Sequence, residues 1–234
     1  MKLKYNESLP KYMLNVYNIN CINSLQRSWL HEHGCTHRHS YLRHFNCFLN
    51  EWDMHEDIAF LDIETSNLKA NFGIVLCWCI LDDKGNLYED RLTKKDIMSG
   101  QEDKRCVQSC INTLSYFDRV VTHYGTYFDI PFLRTRSLIH KLDFFPHGYL
   151  YHTDTWKMAK RSLCLHSNRQ DVIAESLYGK TVKTRISHPD WRKAMLGDVK
   201  AMDEVVDHCE KDVIDLKKNY YTLLPYCKII RSSV

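Results

Sequence analysis

The sequence has no long run of uncharged apolar residues, and its mean hydropathy is −0.44. This excludes a membrane-spanning helix. Residues Met1 to Glu7 lack the apolar stretch of a secretory signal, so an intracellular, cytoplasmic setting is expected. No internal repeat or low-complexity tract is present, and no Cys-x-x-Cys pair occurs among the ten cysteines. A disulfide scaffold is therefore not expected. Cys77 and Cys79, like Cys106 and Cys110, lie in apolar runs and read as small buried hydrophobes in a reducing compartment.

What the chain does have is a core-forming balance: 234 residues, 44% hydrophobic and 26% charged. That suits one domain with a small appendage and excludes a disordered or collagen-like chain. The net charge of +3 identifies no partner by itself. Its distribution is uneven. Residues 154–200 hold ten Lys/Arg against five Asp/Glu, and residues 201–218 hold six acids against three Lys. A basic surface for phosphates beside an acidic element for cations fits that pattern, as does an ordinary solvated helix surface.

Three segments are expected: an arm over residues 1–25, a Cys/His-rich segment over 26–55 and an α/β domain over 56–234. In the last, Ile58 to Ile63 predicts a buried strand. Phe72 to Leu81 and Asn86 to Leu92 predict two more, joined at Asp82-Asp83-Lys84-Gly85. Cys106, Val107, Cys110, Ile111, Leu114 and Phe117 recur at helical spacing. Val120 to His123 reads as a strand, Ile130 to Leu142 as a helix and Leu150 to Thr155 as a fifth strand. A long C-terminal helix over about 200–221 carries the stripe Met202, Val205, Val206, Cys209, Val213 and Leu216. The order predicts a mixed sheet flanked by helices.

Three places carry candidate chemistry. Asp62 and Glu64, two apart on the first strand, project to one side. Such a pair repels itself unless a cation intervenes, and hard divalent ions prefer oxygen ligands. Asp129 follows a strand and opens a helix, where an N-cap role is the plain alternative. His208 and Asp212 share a helix face at i and i+4, where a surface ion pair is the plain alternative.

The combination goes further than any one of them. Asp62-Ile63-Glu64-Thr65, Phe128-Asp129-x-Pro131-Phe132-Leu133 and His208-Cys209-Glu210-Lys211-Asp212-Val213, in that order, resemble the three motifs of the DEDD exonuclease superfamily. The nearest resemblance is to the 3′–5′ proofreading domain of family B DNA polymerases and its stand-alone relatives. It includes Gly125 ahead of Phe128-Asp129 and the segment His152-Thr153-Asp154, and covers roughly residues 56–224. It implies a ribonuclease H-like α/β fold with an N-terminal Cys/His-rich extension. It also implies 3′–5′ exonuclease action on single-stranded DNA or RNA by two Mg²⁺ or Mn²⁺ ions, roughly 4 Å apart, held by Asp62, Glu64, Asp129 and Asp212.

One position departs from the resembling pattern. His208 stands where the polymerase-like branch has tyrosine, and it is expected to activate the attacking water; histidine's unperturbed pKa of ~6.5 suits that task. Tyr124 and Tyr127 are candidates for stacking on terminal bases, while Phe128 reads as core. A structure-specific endonuclease and a catalytically silent nucleic-acid-binding module are the competing readings. Ten residues follow Leu224, so a proofreading role would call for a separate replication or repair partner.

Five of the 13 histidines fall between His31 and His44. Cys35, His37, His44 and Cys47 supply four donors of the types Zn²⁺ prefers within 13 residues, so one Zn²⁺ is expected there. The spacing is not that of a standard finger. In a second reading Arg38, His39 and Arg43 face phosphate instead.

Overall fold

The computed structural model describes residues 9–227 and 233–234, except positions 15, 17, 18, 20, 21, 53, 55, 183 and 185. The chain forms two compact units, with the division between Glu56 and Asp57.

The first unit contains a 3₁₀ turn at Lys11–Met13 and two helices, α1 (Ser24–Glu32) and α2 (Phe45–Glu51). Asn23 and Gln26 start α1 with a reciprocal capping box: each side-chain oxygen accepts the other's backbone N–H. The core gathers Leu30, Tyr41 and Phe48 around Trp29, whose ring stacks 6.0 Å from Tyr41. Met13 and Val16, in the stretch expected to form an arm, are fully buried in this same core.

The second unit is built on a five-stranded sheet. Its strands are β1 (Ile58–Thr65), β2 (Val75–Asp82), β3 (Leu87–Arg91), β4 (Arg119–Thr122) and β5 (Tyr151–Asp154), in the order β3-β2-β1-β4-β5. The β1–β2 and β2–β3 pairs are antiparallel, whereas β1–β4 and β4–β5 are parallel. The helices are α3 (Lys94–Met98), α4 (Lys104–Leu114), α5 (Asp129–Ile139), α6 (Thr155–Ser162), α7 (Gln170–Tyr178), α8 (His188–Met195) and α9 (Val199–Leu223). The mixed α/β sheet flanked by helices is the one the sequence predicts.

Period-2 alternation on the central strand gives β1 two different faces. Ala59, Leu61 and Ile63 pack with Trp78 and Ile80 of β2 against the apolar stripe of α4 and against Ile130 and Leu133 of α5. Phe60, Asp62 and Glu64 face the other way. There the Phe60 ring meets Tyr220 of α9 at 5.5 Å, and the Cys209 thiol donates to the Asp62 carbonyl at 3.3 Å. The register places Cys79 opposite Asp62 and Cys77 opposite Glu64. Small side chains at 77 and 79 let α9 lie close on this face, and the Cys79 thiol donates to the Val206 carbonyl. All six stripe residues expected on the C-terminal helix are buried.

Some boundaries differ from expectation. Phe72 is 81% exposed and lies outside β2, which begins at Val75. Residues 66–74 form a tight turn: the Asn67 side chain accepts the Lys69 amide, and Ile74 N–H donates to Ser66 Oγ. A Cβ at Gly73 would stand 2.7 Å from the Asn67 Cβ, so the chain passes closely only because residue 73 is glycine. An apolar run gave no sign of that turn.

Candidate active site

The C-terminal end of β1 and the middle of α9 bring three predicted residues together. Ligand-bearing atoms of Glu64, His208 and Asp212 all lie within 4.8 Å of one another. His208 Nε2 is 3.5 Å from Glu64 Oε1 and 3.8 Å from Asp212 Oδ2. These side chains are largely buried, so the i, i+4 pair on α9 is no solvated surface ion pair. The other ring nitrogen, His208 Nδ1, is 3.0 Å from Thr184 Oγ1. Asp215, one turn beyond Asp212, accepts from Thr181 Oγ1 and Val182 N–H, which draws that segment onto α9.

Asp62 and Asp129 stand outside this 4.8 Å group. Asp62 precedes Glu64 by two residues on the same face of β1. Asp129 is the first residue of α5; the N-cap is Phe128, and no side chain caps the helix. The capping alternative for Asp129 therefore fails. Asp129 is 4% exposed, and its carboxylate accepts the Ile63 amide, between Asp62 and Glu64. Burial pushes the Asp129 carboxyl up, hydrogen bonds from its own amide and Ile63 hold it down in part, and the nearby Asp154 charge adds to the rise. Its pKa reaches about 7.

The loop from β4 to α5 is shaped to admit that carboxylate. A Cβ at Gly125 would lie 2.1 Å from Thr122 Oγ1 and 2.9 Å from Asp129 Oδ2, so any side chain there displaces Asp129. Tyr124 adopts a left-handed conformation, φ 65°. Asp154 holds the loop in this shape by accepting Tyr124 N–H at 2.9 Å and Thr126 N–H at 3.0 Å, while also capping α6 through Trp156 N–H. His152 supports it from below, with Nε2 2.8 Å from Thr122 Oγ1; burial lowers its pKa to about 4. The sequence marked the His152–Asp154 segment but not this bracing role. The Asp154–Tyr124 contact spans 30 residues, and no local spacing announces it.

Tyr124 and Tyr127 are 46% and 58% exposed, with ring centroids 5.1 Å apart. Trp156 stands edge-on to Tyr124 at 5.3 Å, and the ammonium groups of Lys157 and Lys160 lie over Tyr127 and Trp156 at 5.2 and 4.8 Å. Phe128, by contrast, packs against the main core, as expected.

A second His/acid group, Glu102, Asp103 and His140, has no counterpart in the sequence expectations. The Arg136 guanidinium reaches buried Asp103 and exposed Glu102, so this group is an ion cluster with its cation built in. The four donors Cys35, His37, His44 and Cys47 of the first unit also converge within 4.8 Å. Cys77, Cys79, Cys106, Cys110 and Cys209 are buried free thiols, and burial raises the pKa values of Cys106, Cys110 and Cys209 well above the ordinary thiol range. Among the described residues no helix is long and apolar enough to cross a membrane.

The donor set at the end of β1, carboxylates with one imidazole, fits hard divalent cations such as Mg²⁺ or Mn²⁺. A family model described as the RNase_H superfamily matches residues 59–224, from the start of β1 to the end of α9. The structure of the family B DNA polymerase from the hyperthermophilic archaeon Pyrobaculum calidifontis is similar, with a TM-score of 0.61 and 15% identity. The likeness covers 74% of this chain and 25% of the polymerase chain, and at that identity it is one of fold. No curated protein matches the chain.

Proposed function

The chain belongs to the RNase H superfamily, and from that premise we propose that it is a metal-dependent nuclease that removes nucleotides from the 3′ end of single-stranded nucleic acid. The observation that carries this reading is the convergence of Glu64, His208 and Asp212 beside the buried Asp129 carboxylate, in the element order of the exonuclease motifs.

Asp62, Glu64, Asp129 and Asp212 would hold the ions. Bound divalent ions supply acidification of the attacking water and neutralisation of charge on the leaving 3′ oxygen. The protein's own part is positioning and proton handling. β1 fixes Asp62 and Glu64 on one face, and the Ile63 amide fixes Asp129 against them. His208 takes the proton of the attacking water at Nε2; this role assigns the ring hydrogen to Nδ1, which then donates to Thr184 Oγ1, 3.0 Å away, and leaves the Nε2 lone pair on the side of the acids. Tyr124 and Tyr127 offer exposed ring faces for the terminal bases, and Lys157 and Lys160 bring positive charge beside them for phosphates.

The test is digestion of 5′-end-labelled single-stranded DNA, single-stranded RNA and duplexes with Mg²⁺ or Mn²⁺. A ladder that shortens from the 3′ end, lost in Asp62→Ala, is expected. Internal cleavage of a circular single strand would replace exonuclease by endonuclease action. Binding without any cleavage would leave a nucleic-acid-binding module.

A further inference from the structure

The first unit is small, and its ligand cluster lies outside the matched residues 59–224. Below ~70–80 residues a hydrophobic core alone rarely suffices, and a metal or disulfides commonly complete the fold. The described residues of this unit show no disulfide; Cys35 and Cys47 are free.

Two short pieces of backbone bring the donors together. The first is a tight loop: Cys35 N–H donates to the His39 carbonyl at 2.8 Å, Arg38 N–H donates to the Cys35 carbonyl at 2.9 Å, and Gly34 bridges Ser40. Arg38 takes a left-handed conformation, φ 64°, to close it. This loop projects Cys35 and His37. The second piece is the start of α2, where His44 is the N-cap and Cys47 lies on the first turn. The His44 side chain makes no cap hydrogen bond; its ring stacks on His39 at 4.0 Å. Glu51, later on α2, accepts from Thr36 N–H, Thr36 Oγ1 and Tyr41 Oη, tying the two pieces together around the cluster.

The distances favour an ion over hydrogen bonding among the four side chains. His37 Nδ1 lies 3.5 Å from Cys47 Sγ and 3.8 Å from Cys35 Sγ. A tetrahedral Zn²⁺ with Zn–S of about 2.3 Å and Zn–N of about 2.0–2.1 Å has an S–N edge of about 3.6 Å. An imidazole nitrogen has one in-plane lone pair and accepts well from one donor, yet here two sulfurs converge on the same nitrogen. Arg43, His44 and Cys47 also line an open pocket of about 390 Å³, which gives an ion a route in.

We propose that Cys35, His37, His44 and Cys47 form a closed, four-ligand structural zinc site that holds the first unit's fold. Four protein ligands fill the tetrahedron, so the site stabilises rather than catalyses. It is separate from the Mg²⁺ or Mn²⁺ positions proposed above and does not depend on them.

The test uses the full chain, expressed with added Zn²⁺ and purified with reduced thiols, and reads metal by mass spectrometry. One equivalent of zinc is expected in wild type and in Asp62→Asn, and none in Cys35→Ser or Cys47→Ser. Replacing zinc by Co²⁺ should give the visible bands of tetrahedral cobalt with thiolate charge transfer. If the serine variants fail to fold, wild type decides alone: Cys35 and Cys47 should resist alkylation until a chelator is added, and then become reactive while the chain becomes protease-sensitive before residue 57. Zinc-free wild type that takes up neither Zn²⁺ nor Co²⁺ overturns the proposal. So does zinc retained in Cys47→Ser, or alkylation at full rate with zinc bound.

Discussion

Two groups of acids and histidine in the second unit offer similarly spaced ligand atoms, Glu102-Asp103-His140 and Glu64-His208-Asp212. They differ in what stands among the carboxylates. In the first it is the Arg136 guanidinium, which contacts Asp103 through Nε at 3.0 and 3.1 Å and reaches Glu102 through Nη2. Asp103 is fully buried and also accepts Val75 N–H at 2.7 Å, so the cluster pins the start of β2 to α4 and α5. A permanently charged group fixed by covalent bonds makes this a structural joint. In the second it is the imidazole of His208, which faces two carboxylates and can take up and release a proton, whereas His140 of the first group stands 2.7 Å from an Asp103 carboxylate already paired with Arg136. Similar donor spacing therefore serves cohesion in one place and, in the function proposed here, chemistry in the other.

The comparison breaks most visibly at the acids. Glu64→Ala or Asp212→Ala should nearly abolish hydrolysis at saturating Mg²⁺ while leaving the melting temperature close to wild type. Near-normal turnover in either variant would remove the proposed site. His208→Ala should fall by roughly 10²–10⁴-fold in rate, the usual scale of general acid–base help, and should still bind nucleic acid. His208→Tyr should keep substantial activity, because a hydroxyl at that helical position can orient the same water. Full activity of the alanine variant from pH 6 to 9 would assign water activation elsewhere.

The structural joint should respond in the opposite way. Asp103→Ala leaves a buried guanidinium without its main partner and should cost about 3–5 kcal/mol, which for a chain of this size lowers the melting temperature by about 6–20 °C. Turnover per folded molecule should stay near wild type at a temperature where the variant is folded. Equal loss of activity and stability would mean that the two clusters are coupled.

Legibility in the sequence followed the range of the interaction. The alternation along β1 and the stripe of α9 are local patterns, and both faces of β1 follow from them once the sheet order is known. The four acids and His208 stand out in the sequence because motif order adds long-range information that spacing lacks, and the structure gathers Glu64, His208 and Asp212 of them within 4.8 Å. Polar partners far apart in the chain carry no such signal. Thr184 meets His208 across 24 residues, Asp154 holds Tyr124 across 30 and Arg136 meets Asp103 across 33. Each is an ordinary polar residue whose role appears only when the chain brings its partner near. Helix α3, five residues long, is set by a Thr93–Asp96 capping box and buries no side chain, so no apolar period marked it.

The smallest expected effect sharpens the comparison on the substrate side. Tyr127 is more exposed than Tyr124 and is flanked by Lys157, so its ring is available for a base with a positive charge close by. Loss of one base–aromatic stack costs about 1–3 kcal/mol, which is roughly 5–150-fold in affinity. Because Tyr127 touches none of the proposed ion-holding carboxylates in this reading, Tyr127→Ala should raise KM for single-stranded substrate while kcat changes little. Tyr127→Phe should restore KM, since stacking uses the ring face and not the hydroxyl. Steady-state kinetics on oligonucleotides of one length would read both. A fall in kcat with KM unchanged, or a phenylalanine variant as weak as alanine, would mean that Tyr127 acts through its hydroxyl on the reacting phosphate and belongs with the catalytic group instead.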